Sequence, residues 1–185
     1  MTKPLILPFE GKVPKIHDTA FIAPGCVIIG DVEIGPQASI WYNCVLRADI
    51  NAIRVGARTN IQDGSTIHVE SDYGDGGYPA IIGDDVLIGH MALIHGCTLM
   101  DRAFVGMGAI VMDACVIEGD AMLAAGAMLT PGKRMPSGQL WSGRPAKYMR
   151  DLGEADIAGM QRGVDHYVHQ AQLHTEALKG AAGEA

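Results

Sequence analysis

The chain has 185 residues, 48% of them hydrophobic and 19% charged, which suits one domain able to bury a core without disulfide staples and excludes two large domains. Fourteen basic against 21 acidic residues give a net charge of -7; the basic residues form no stripe, so nucleic acid is not an expected partner. No apolar run reaches the roughly 18 residues that cross a bilayer, so no membrane span is expected.

The opening residues, MTKPLILPFEGKVPK, lack a long apolar h-region and a cleavage site, and the expected compartment is the cytoplasm. Residues 1–15 read as a lead-in. From Ile16 an aliphatic residue returns every six positions at Ile22, Ile28, Ile34, Ile40 and Leu46, then after three extra residues at Val55, Ile61 and Ile67. An inserted loop, 69–80, follows. The series resumes at Ile82, Ile88 and Ile94, slips by one, and runs through Leu99, Val105, Val111, Ile117, Leu123 and Leu129. Four residues after most anchors the side chain is small, as at Ala20, Cys26, Ala38, Cys44, Ala92 and Ala109. One large and one small inward residue per hexad fit a parallel β-helix, so residues 16–134 predict an all-β prism of about six triangular coils. The four cysteines then read as buried filler of a narrow core. Residues 135–150 read as an exit segment, 151–178 as a C-terminal α-helix and 179–185 as a tail. Gly153, Gly159 and Gly163 predict irregularity in the first half of that helix.

Hexads three apart share a face of adjacent coils. His68 follows the ninth anchor and His95 the twelfth, which stacks them about 5 Å apart at one corner, with Arg47 one coil earlier. His90 lies two residues after the eleventh anchor, on another face. A prism with two histidines on one edge and a third on another suggests a homotrimer in which a neighbour completes a three-histidine metal site. Such a site, with one position open, lowers the pKa of bound water to about 7. Zinc is the expected metal, with iron(II) or cobalt also accepted by imidazoles. The alternative is that each histidine is an exposed turn residue. Gln62 and Asp63 lie one coil below His90, so Asp63 is placed to meet a neighbour's Arg47, or the two are separate surface charges. His166, His169 and His174 on the C-terminal helix read as a solvated face.

The segments LRADINAIRVGARTNIQDGSTIHV, IIGDDVLIGHMALIHGCTL and VGMGAIV closely resemble the γ-class carbonic anhydrase family, over roughly residues 10–150. The resemblance implies a left-handed coil and a homotrimer with one metal per subunit, each bound by His68 and His95 of one chain and His90 of the next. By motif position, Arg47 and Asp49 match the family's RxD element, Asn60 and Gln62 its N-x-Q element, and Asp63 the partner of Arg47; Gln62 would help orient hydroxide or bicarbonate. Two departures stand out. Ile50 and Ser71 occupy positions where the family's archaeal prototype carries the glutamates of its proton route, and Glu70, Asp72 and Asp75 in the inserted loop are the available substitutes.

The expected function is therefore reversible hydration of carbon dioxide to bicarbonate, with low turnover. A hexapeptide-repeat acyltransferase, suggested by SGRPAK, and a non-catalytic metal-binding trimeric scaffold are the alternatives.

Overall fold

A computed structural model describes residues 3–74 and 76–183, with the backbone alone for 181–183. Short strands joined by tight corners pair in parallel around three faces, forming a left-handed β-helix. The first, here the helix face, stacks Phe21–Ile22, Ser39–Ile40, Asn60–Ile61, Leu87–Ile88, Phe104–Val105, Met122–Leu123 and Gln139–Ser142. The histidine face begins with Leu5–Leu7 and takes the first halves of the long strands Val27–Ile34 and Val45–Val55. It continues through Thr66–His68, Leu93–His95, Ile110–Val111 and Met128–Leu129. Lys15–Ile16, the second halves of the long strands, Ala80–Ile82, Thr98–Leu99, Val116–Ile117 and Arg134–Met135 make the third face.

The register follows the anchors. Ile28 pairs Leu46, Leu46 pairs Ile67, Ile67 pairs Ile94, Ile94 pairs Val111, and Val111 pairs Leu129. Ile28, Leu46, Ile67, Ile94, Val111 and Leu129 are fully buried, each contributing about 1.5–3 kcal/mol of apolar transfer relative to exposure. Seven parallel strands lie on each face among the described residues, where about six coils were expected. The extra rungs come from Met135 and Trp141, which do not match the aliphatic pattern, and from the exposed strand Leu5–Leu7, flanked by Pro4 and Pro8 inside the expected lead-in. All four cysteines are free and buried.

The C-terminal helix spans Glu154–Gly183. It begins later than expected because Lys147–Asp151 forms a strand antiparallel to Gln139–Ser142. Asp156 then accepts from the Gly153 amide at 2.9 Å and fixes the first turn, the return half of a capping box. The helix runs unbroken through Gly159 and Gly163, contrary to the expected irregularity. Gly163 has a packing reason: a Cβ there would lie 2.9 Å from Leu87 Cδ1 on the helix face. Met160, Val164 and Ala171 bury their side chains at helical spacing. His174 departs from the expected solvated face. Its ring centroid lies 5.0 Å from that of Trp41, and its Nδ1 is 2.8 Å from Tyr42 Oη, whereas His166 and His169 are exposed. No helix of the described residues is long and apolar enough to cross a membrane.

Candidate metal centre

The β-helix brings two histidines together by backbone register alone, because His95 pairs directly with His68 on adjacent rungs. Their facing atoms are His68 Nδ1 and His95 Nε2, 3.0 Å apart. The opposite nitrogens are both held by carboxylates: His68 Nε2 lies 3.0 Å from Asp49 Oδ1, and His95 Nδ1 lies 2.5 Å from Asp113 Oδ1. An ionised carboxylate only accepts, so the hydrogen of each neutral imidazole sits on the carboxylate side. Two lone pairs therefore face one another across 3.0 Å, an arrangement that is repulsive unless a cation lies between them. Two metal–nitrogen bonds of about 2.0–2.1 Å at a tetrahedral angle would separate the nitrogens by about 3.3–3.4 Å, close to the observed gap. The residues fit a metal.

Burial is the largest influence on His68 and holds its imidazole below the usual pKa, against the pull of Asp49; a ligand must be neutral, so this favours binding. For Asp49 burial acts upward, but the hydrogen bonds from His68 and Arg47 outweigh it, and its carboxyl lies below the usual range. Asp49 thus joins Arg47 to His68, with one oxygen on each.

His90 stands apart, on the helix face. Its Nδ1 lies 2.9 Å from Asp63 Oδ2, and its Nε2 is 3.5 Å from the Tyr167 hydroxyl. Burial first, then the Asp63 charge, raises the Tyr167 and Tyr42 pKa values, so both remain protonated donors. Arg47 and Asp63 each find a partner within the chain, Asp49 and His90, and do not meet one another. Gln62 is buried and donates from Nε2 to Asn60 Oδ1 at 3.1 Å. Asn60 is fully buried and its Nδ2 has no partner, an unmet donor worth about 1–3 kcal/mol of instability.

The inserted loop divides the three relay candidates. Glu70 reaches the centre, placing a carboxylate oxygen within 4.8 Å of ligand atoms of His95 and Asp113. Asp72 shapes the loop, accepting from the Gly74 and Gly76 amides at 2.8 Å each. Asp75 lies outside the described residues. Sequence reasoning missed two neighbours of the histidines. Asp113 belongs to no motif, and Tyr167 sits on a helix whose inward face the hexads do not specify.

A profile described as "Bacterial transferase hexapeptide (six repeats)" matches residues 14–48. Two relatives extend the likeness. Gamma carbonic anhydrase 2, mitochondrial, of Arabidopsis thaliana is 48% identical over 164 residues, covering 88% of this chain and 59% of that protein. Carbonic anhydrase of Geobacillus kaustophilus is 41% identical over 171 residues, covering 92% and 91%. The chain belongs to the γ-class carbonic anhydrase family. This γ-class chain spans about three fifths of the Arabidopsis relative's length. A crystal structure of a hexapeptide transferase family protein from Anaplasma phagocytophilum is 46% identical to it, with a TM-score of 0.85 over 91% of this chain and 96% of that one.

Proposed function

We propose that the protein catalyses the reversible hydration of carbon dioxide to bicarbonate at a zinc ion shared between subunits of a homotrimer. His68 and His95 of one chain and His90 of a neighbour would hold the metal, one per subunit. The observation that carries this reading is the convergence of His68 Nδ1 and His95 Nε2 at 3.0 Å, with their other nitrogens on carboxylates. When bound, the metal supplies a Lewis acid that acidifies water at neutral pH.

The chain's own residues do the rest. Gln62, held by Asn60, presents its amide to the substrate. Arg47 meets the neighbour's Asp63 and fixes the register of the contact, while keeping Asp49 on His68. Hydration releases one proton for each bicarbonate, and Glu70 stands where it can accept it; with Ile50 and Ser71 at the positions of the prototype's glutamates, proton export limits turnover. The expected compartment is the cytoplasm, where four free thiols persist.

The decisive test combines zinc quantification, sedimentation and stopped-flow carbon dioxide hydration on one sample of the full chain. We expect a trimer with one zinc per subunit, measurable hydration that rises with added imidazole buffer, and loss of zinc in a folded His90→Ala variant. A metal-free monomer, or a fully metallated trimer inactive at every buffer concentration, refutes the assignment. Thioester-dependent acyl transfer in the latter case would establish the transferase reading that the family profile and the Anaplasma structure's description suggest.

A further inference from the structure

Each candidate zinc ligand carries an aspartate of its own chain on one ring nitrogen: Asp49 on His68, Asp63 on His90, and Asp113 on His95. The last pair is the shortest of the three, at 2.5 Å. Asp113 comes from the next rung of the histidine face. Val111 pairs Ile94, and the Ala114 amide donates to the Gly96 carbonyl at 2.8 Å, so Asp113 stands over Gly96 and reaches across it to the ring of residue 95.

The residue it crosses is built for that reach. A Cβ on Gly96 would lie 2.5 Å from Asp113 Oδ1 and 3.0 Å from Tyr78 Cβ, and the Gly96 φ of +43° is one that side chains rarely adopt. The clearance at Gly96 and the contact at His95 meet at one atom, Asp113 Oδ1, and the backbone of Gly96 adds a conformation that excludes most side chains there. We propose that Asp113 is a positioning residue: it fixes the Nδ1–H tautomer of His95 and turns Nε2 toward the metal, with Gly96 providing the space.

The physical reason is that a neutral imidazole carries one hydrogen. Without a carboxylate at Nδ1 the ring is free to hold it on Nε2, and that form cannot ligate through Nε2. A carboxylate partner selects the productive tautomer, locks the ring plane and raises the basicity of the ligating nitrogen.

The inference rests on the metal reading above, and the experiment separates the two. Zinc affinity is measured by chelator competition, and imidazole tautomers by ¹⁵N NMR of the metal-free protein, for wild type, Asp113→Ala, Asp113→Glu and Gly96→Ala. Thermal unfolding of the metal-free forms reports on folding. In the wild type, His95 should carry its hydrogen on Nδ1. Asp113→Ala and Gly96→Ala should each weaken zinc binding about 10–100-fold, and Asp113→Glu should recover part of the loss. Wild-type zinc affinity in folded Asp113→Ala overturns the proposal, as does an Nε2–H tautomer in the wild type, a readout that stands even if the variants fail to fold. Two zinc ions per chain, with only the second lost in Asp113→Ala, also overturns it, making Glu70, His95 and Asp113 a separate cation site. A wild type that binds no zinc defeats the metal reading itself.

Discussion

Replacing Gly159 and Gly163 singly by alanine tests how closely the C-terminal helix rides on the prism. Each change removes the helix penalty of glycine, about 0.8–1.0 kcal/mol. At Gly159 the new Cβ would lie 3.6 Å from Arg162 Nη2, an ordinary contact, so the full gain should appear. At Gly163 it would lie 2.9 Å from Leu87 Cδ1. Something must move, and overpacking costs about 1–3 kcal/mol, near the lower end here because a leucine methyl can rotate away. Gly163→Ala should therefore be about 1–2 kcal/mol less stable than Gly159→Ala. Urea unfolding at fixed protein concentration, read as a midpoint shift at constant slope, measures the difference. Tyr167 lies one turn beyond Gly163, so the same variant should lengthen its 3.5 Å approach to His90. If Gly163→Ala stabilises the protein by the same ~1 kcal/mol as Gly159→Ala, the close approach is not real and the argument fails.

Ile67→Ala, directly beneath His68, should cost about 3–5 kcal/mol in chemical unfolding, because the neighbouring rungs hold the backbone in place and the cavity cannot collapse. Tyr42→Phe should lose about 0.5–1.5 kcal/mol through its bond to His174, and a matching loss in His174→Phe without additivity would confirm that they act as a pair. The Arg150 guanidinium, then the Gly153 amide, lower the Asp156 pKa to about 2 from 3.8. Because the folded-state value is depressed, the stabilising contribution of Asp156 is complete above the unfolded pKa and disappears as pH falls through about 2. Carboxyl NMR should give a midpoint near 2 for Asp156, returning toward 3.8 in Arg150→Ala.

The rungs were legible because each repeats one inward aliphatic residue, and even the phase shifts have structural counterparts. The three extra residues fall in Val45–Val55, where the chain turns from one face to the next, and the strand pairing shifts register between Gly30 and Val32. The stacking of His68 on His95 followed from the same count. Less visible were contacts between periodic systems of different kinds. A hexad fixes which side chains face the prism axis, but it does not say which stripe of a separate helix meets the wall, so Tyr167 was not placed and His174 was assigned to the solvated side. Asp113 escaped notice for another reason: two residues past an anchor it looks like any corner aspartate, and only the missing side chain of Gly96 one rung below lets it reach His95. Leu5–Leu7 was hidden by the prolines on either side.

The loop from Val69 to Pro79 leaves the stack beside His68 and returns at Ala80 without displacing a rung: Val55 still pairs Ile82, and Ile67 still pairs Ile94. Such an excursion is cheap, since doubling the length of a flexible loop costs only about 0.6 kcal/mol. The histidine pair and the loop that adjoins it are therefore separable units of the same chain. Loop residues can be lengthened, exchanged or recharged while the imidazole spacing stays pinned by backbone pairing, which makes this corner a natural place to graft new chemistry onto an unchanged scaffold.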